Sequence, residues 1–154
     1  MAKKETAGIL LYRVGQGAFE FFLVHPGGPF WIKKDAGAWS IPKGETKAEE
    51  DLLHAAKREF HEETGFSLDG NFIALTPLKQ RGGKTVHAWA VEGDVDAQSI
   101  KSNLFSMEWP PRSGKHAEFP EVDRAGWFTL EAAKEKILPG QAEFLEELRR
   151  LVIR

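Results

Sequence analysis

The sequence predicts an α/β or α+β fold, a mixed β-sheet flanked by helices. Three observations carry that expectation. Two apolar runs joined by a short glycine-bearing link open the chain, and an amphipathic stretch with helix-stop chemistry follows. After it come further strand-like runs and then two helical ones. With 154 residues, the chain has the length of one domain, residues 1–154, because two independent cores would each be small.

Residues 7–14 (AGILLYRV) and 18–24 (AFEFFLV) suit strands, and Gly15-Gln16-Gly17 between them predicts a β-hairpin. His25-Pro26-Gly27-Gly28 breaks that pattern. Pro42 pushes Ile41 toward extended geometry, so Trp39-Ser40-Ile41-Pro42 is expected as a brief extended segment. The clearest helix is expected over residues 47–64. Thr46 and Glu49 have capping-box spacing, and Gly65 stands where a glycine cap ends a helix. Further strands are expected at 72–75, 85–92 and 126–128. Thr129 is placed to cap a helix through Leu138, and residues 142–152 carry Phe144, Leu145, Leu148 and Leu151 on one helical face. Residues 103–114 (NLFSMEWPPRSG) read as a long surface loop.

Composition excludes several classes of function. The chain is 42% hydrophobic and 29% charged, the balance of an ordinary globular protein. Its net charge of -2 offers no general attraction to DNA, so any phosphate binding is expected at a local site. The absence of cysteine removes disulfides, thiolate zinc sites and cysteine nucleophiles together. Met1-Ala2-Lys3-Lys4-Glu5 and the short apolar run after it do not read as a signal peptide. No stretch approaches the ~20 apolar residues of a membrane span, so a cytoplasmic address is expected.

The chemistry sits on the expected helix. Residues three and four apart share a helical face, so Glu59, Glu62 and Glu63 project together. Beside them runs an apolar stripe of Leu52, Leu53, Ala56 and Phe60 that can pack on the sheet. Like charges at these spacings cost about 0.2–0.5 kcal/mol per pair, and more where water is scarce. A divalent cation reverses that repulsion, and clustered hard oxygens suit Mg²⁺ or Mn²⁺. The bland alternative is a solvated acidic face making ion pairs with its own lysines. Pro42-Lys43-Gly44 ends the loop ahead of the helix and brings a backbone carbonyl and a cation, while Arg58 is placed to hold the Glu59 carboxylate.

Gly44, Glu50, Arg58, Glu59, Phe60, Glu62, Glu63, Gly65 and Phe66 fill every fixed position of the Nudix box, GETKAEEDLLHAAKREFHEETGF. The chain therefore resembles the Nudix hydrolases. That resemblance implies a Nudix-type sheet flanked by helices and a metal-dependent attack of water on a diphosphate in a nucleoside diphosphate derivative. It implies Glu59, Glu62, Glu63 and the Gly44 carbonyl as metal ligands, Mg²⁺ as the cofactor with Mn²⁺ as a substitute, and Glu59 as the general base. Arg58 would orient Glu59, and Glu50 would support the site.

Family members often add a glutamate beyond the box. Glu118 and Glu121 are the candidates, with Glu121 preferred and a plain surface carboxylate as the alternative for either. Lys43 is a candidate phosphate contact. Trp39 is a candidate to stack on a base, or else a core residue. The lead-in Trp39-Ser40-Ile41-Pro42-Lys43-Gly44 resembles that of dinucleoside polyphosphate hydrolases. The tyrosine those enzymes often carry after the box has no counterpart, since Tyr12 is the only tyrosine. Pro77 comes too early for the proline marker of ADP-ribose hydrolases. The expected partner is thus a small nucleotide, with a dinucleoside polyphosphate or nucleoside triphosphate foremost. The rival reading is a non-catalytic Nudix domain that senses a nucleotide.

Overall fold

The opening run is apolar without a break from Ala7 to Leu11 because both of its faces are covered there. In the computed structural model, which describes residues 5–15 and 17–152, β1 (Glu5–Gly15) lies at the centre of a seven-stranded sheet. It pairs antiparallel with β2 (Ala18–Pro26), and Gly15 faces Ala18 across the expected hairpin. The link residue Gln16 and residues 1–4, whose stretch does not read as a signal peptide, lie outside the described residues. Side chains alternate along a strand, so Ile9 and Leu11 point to one face while Leu10 and Tyr12 point to the other.

The remaining strands complete a mixed sheet. Short β3 (Lys43–Glu45) pairs antiparallel with β1. After the first helix come β4 (Ile73–Ala74), β5 (Leu78–Lys79) and β6 (Thr85–Glu92); β6 runs parallel to β1 and pairs with both short strands. Further along lie β7 (Leu104–Glu108), β8 (His116–Pro120) and β9 (Val122–Thr129), the last pairing with β2 at the sheet edge.

Helix α1 (Leu52–Thr64) covers one face of the sheet, burying Ala55, Ala56 and Phe60 against Ile9, Leu11 and Phe22. Phe60 is fully buried with its ring 5.9 Å from that of Phe22; burying such a side chain contributes about 1.5–3 kcal/mol. On the opposite face, α2 (Leu130–Lys136) and α3 (Ala142–Val152) close over Leu10, Phe21 and Leu23. Thr129 caps α2 as expected, its hydroxyl accepting from the Ala132 N–H. Phe144, Leu145 and Leu148 are buried, whereas Leu151 stays exposed.

Two expectations are corrected. Helix α1 begins at Leu52 rather than near residue 47, and Asp51 caps it by accepting from the His54 N–H at 3.0 Å. Thr46 is occupied elsewhere, its N–H donating to the Glu5 carbonyl, and Glu49 has a left-handed backbone that no helix continues through. Residues 103–114 are not a loop throughout: β7 and β8 form a separate two-stranded sheet. Its Phe105 and Phe119 stack across the strands with ring centres 6.0 Å apart.

Candidate active site

Gly44 sets the geometry of the site. It sits in β3, and α1 lies so close that a methyl group at this position would overlap the Glu59 carboxylate. Hydrogen in place of a side chain therefore lets a catalytic-type carboxylate rest against the strand that carries Lys43. Glu59 is only 7% exposed. Its Oε2 is buried and has no hydrogen-bond partner, and a buried polar oxygen left so is costly unless another ligand satisfies it.

The neighbouring carboxylates raise that cost. Burial, then the adjacent Glu62, pushes the Glu59 carboxyl up to about 7. Burial and the Glu59 charge push Glu63 up to about 8, against the opposing pull of Lys43. Glu63 accepts a long hydrogen bond, 3.3 Å, from the Lys43 backbone N–H. Glu121 is likewise raised, by burial and by Glu62. Burial in turn lowers the Lys43 ammonium, and Glu63 partly offsets it.

Arg58 acts differently from the expectation. Its approach to Glu59 is long, at 3.5 Å. Its close partners are Glu50, held at 2.8 and 3.0 Å, and Glu62 at 2.9 Å, with a further bond to the Glu45 carbonyl. The guanidinium and the Lys47 N–H hold Glu50 down at about 2. Glu50 thus anchors Arg58, and Arg58 draws Glu62 toward itself. As placed, no group of three or more His, Asp or Glu side chains among the described residues converges as a metal site.

Backbone links connect Glu121 to the helix. The Asn103 N–H donates to the Glu62 carbonyl, and the Glu121 N–H donates to the Asn103 carbonyl. The Glu121 carbonyl then accepts from Gly27, whose missing side chain leaves room for the Pro120 carbonyl. Glu118, by contrast, lies exposed on β8 opposite Ser106.

A cavity of about 210 Å³ opens beside these carboxylates. Lys43, Glu63 and Glu121 are among its polar lining, and Val24, Ile41 and Leu138 among its apolar lining. Trp39 is not in it. That ring is buried in the core against Phe128 and His25, with its indole N–H bound to Asp35 at 2.8 Å. The tryptophan on the cavity is Trp31, which the sequence reading passed over. The available signal was an apolar triplet, Phe30-Trp31-Ile32, set among turn residues and lysines where no core position is expected.

The chemistry of the donor set, though not its convergence as placed, fits a divalent cation. It consists of hard carboxylate oxygens, one of them buried and unsatisfied, with a glycine opening backbone access to them. No helix among the described residues is long and apolar enough to cross a membrane.

Comparison with known proteins identifies the family and the fold. The chain matches the NUDIX domain over residues 2–148. No curated protein matches it. Among solved structures it is similar to an Ap4A hydrolase of C. elegans in a binary complex, at 21% identity and TM-score 0.67, with 97% of each chain covered. It is also similar to the NUDIX domain of Shewanella oneidensis NrtR complexed with ADP ribose, at 15% identity and TM-score 0.69, covering 99% of this chain and 90% of that one. A mutT/nudix family protein of Listeria innocua matches at 17% identity and TM-score 0.65, covering 99% and 95%. Given the match over nearly its whole length and the box carried on β3 and α1, the chain belongs to the Nudix family, as a Nudix hydrolase.

Proposed function

We propose that the protein is a divalent-metal-dependent pyrophosphohydrolase that cleaves a diphosphate linkage in a nucleoside diphosphate derivative. The observation that carries this reading is the buried, partnerless Oε2 of Glu59, held against Gly44 on the helix that also brings Glu63 to the cavity lined by Lys43 and Glu121. Glu59, Glu62, Glu63 and Glu121, with the Gly44 carbonyl, are the groups that would hold Mg²⁺ or Mn²⁺. When bound, such an ion neutralises the diphosphate and lowers the cost of charge developing on it.

The chain's own residues do the rest. Glu59, with a carboxyl near neutrality, is suited to take the proton of the attacking water. Lys43 lines the cavity, and its ammonium would supply a cation for the phosphate that departs or remains. Arg58 and Glu50 brace Glu62 rather than touch substrate. Dinucleoside polyphosphates and nucleoside triphosphates are the first substrates to test, and the likeness to an Ap4A hydrolase supports that order. In this reading the chain acts as one domain, in a reducing cytoplasm that its lack of cysteine suits.

The test is phosphate release across a nucleotide panel. The panel holds diadenosine polyphosphates, nucleoside triphosphates, oxidised triphosphates, ADP-ribose and NADH, each with Mg²⁺, Mn²⁺ or EDTA. Turnover of one class that EDTA abolishes is the expected result. Saturable nucleotide binding with no turnover under any metal would replace this reading with that of a nucleotide sensor.

A further inference from the structure

Resting on the nucleotide-diphosphate reading above, we propose that Trp31 is the nucleobase platform of the site, and that the loop over residues 27–38 is its specificity element. A cavity of about 210 Å³ is below the ~300–1,000 Å³ that holds a drug-sized ligand, so it takes one part of a nucleotide rather than the whole. Its lining is of two kinds: Lys43, Glu63 and Glu121, beside which a metal-bridged diphosphate belongs, and Trp31, Val24 and Leu138, which offer π and aliphatic surface. A flat, weakly polar ring is the part of a nucleotide that such a wall desolvates without stranding a charge.

Trp31 is the only aromatic residue among the described residues lining the cavity, and it remains 37% exposed as a residue. An indole left half in water beside an apolar cavity has surface to gain by stacking. The loop that carries it is pinned at several points. Lys34 N–H donates to the Trp31 carbonyl at 2.9 Å, and the Lys34 carbonyl accepts from Nε2 of the fully buried His25 at 2.6 Å. His25 Nδ1 in turn lies 2.8 Å from Asp123 on β9. Asp35 is bound by Trp39 and Lys136, and Phe30 meets the ring of Trp109 edge-on at 5.5 Å. A platform already fixed in this way loses little conformational freedom when a ring stacks on it.

The test is equilibrium binding of AMP, GMP, CMP and UMP in EDTA, with ribose 5-phosphate as the base-free probe, by calorimetry. Stacking on an aromatic side chain corresponds to roughly a 5- to 150-fold change in affinity on alanine substitution. Trp31→Ala is therefore expected to weaken the nucleotides by that factor and to leave ribose 5-phosphate unchanged. Trp31→Phe should keep nucleotide affinity within a few-fold of wild type, which also guards against a folding defect. Val14→Ala, at an exposed position on β1 outside both the loop and the cavity lining, should bind as wild type does. With a turned-over substrate, Trp31→Ala should raise KM and spare kcat.

Nucleotide affinity unchanged in Trp31→Ala would overturn the proposal, as would an equal loss for ribose 5-phosphate. Because these measurements need neither metal nor turnover, they stand even if the hydrolase reading fails. Conversely, wild-type KM in an active Trp31→Ala enzyme removes the platform and leaves the hydrolase intact.

Discussion

Replacing Gly44 by alanine tests the contact on which the site is built. The added methyl would lie on the Glu59 carboxylate, and ordinary carbon contact is about 3.5–4 Å, so the carboxylate must retreat by more than about 1 Å. Gly44 does not have a left-handed backbone, so alanine brings no dihedral strain and the effect passes through Glu59. Glu59 is almost wholly buried and has little space to retreat into. Displacement of a reacting group by about 1 Å costs on the order of 10²-fold in rate. Overpacking costs about 1–3 kcal/mol, and each kcal/mol lowers Tm by about 2–4 °C at this chain length.

The assay is metal-dependent phosphate release by Gly44→Ala, Glu59→Gln and the double variant, with thermal unfolding alongside. If Gly44 acts through Glu59, the double variant should be little slower than Glu59→Gln alone, because coupled residues are not additive. Wild-type turnover in Gly44→Ala, or fully additive losses, would refute the steric argument.

Other expectations follow from the same geometry. Glu59→Gln should cut turnover by about 10³-fold or more while keeping the fold, since it removes the proposed base and one metal ligand together; near-normal turnover would remove Glu59 from that role. Glu121→Gln should slow turnover less than Glu59→Gln, and an unchanged rate would place Glu121 outside the reaction. In EDTA, thermal stability should decline as pH rises. Glu59 and Glu63 hold their protons more tightly in the fold, at about 7 and about 8, than in the unfolded chain. Their favourable contribution is complete below about pH 4.5 and is lost as pH passes through 7 and 8, by on the order of 1–3 kcal/mol. Calorimetric Tm from pH 5 to 8.5 reads this, and a profile that Glu63→Gln does not flatten would contradict it. Asp51→Ala should cost about 1 kcal/mol by circular-dichroism melting, whereas Thr46→Val should leave the helix start intact.

Much of this was legible in the sequence where local chemistry decides structure. β6 and α3 fall on their expected residues because their periodicity is unbroken, and Gly65 ends α1 with the left-handed backbone expected of it. The box also placed Glu59, Glu63 and Gly44 together, since helix geometry and one strand contact suffice to do so. What the sequence hid depends on distant partners. Thr46 has cap spacing, but the Glu5 carbonyl, forty-one residues away, takes its N–H. β7 and β8 are short, and much of their surface is exposed, so neither shows an apolar run. Arg58 turns to Glu50 rather than Glu59 because the bend at residues 46–50 folds Glu50 back over the helix, which spacing along a continuous helix does not reveal. Trp39 takes the core place, the alternative weighed for it, and Trp31 the cavity lining, for the same kind of reason. The bonds from Asp35 and the rings of His25 and Phe128 draw Trp39 inward, and the pinned loop leaves Trp31 at the cavity.

The central claim is that the carboxylates around Glu59 form a divalent-cation site. Calorimetric titration of the nucleotide-free protein with Mn²⁺ at pH 8, beside Glu59→Gln, tests it most directly. The account predicts saturable binding to the wild type, accompanied by proton release from the raised carboxyls, and binding at least about 10-fold weaker in the variant. Equal Mn²⁺ affinity in the two proteins, or no saturable binding by the wild type, would contradict it.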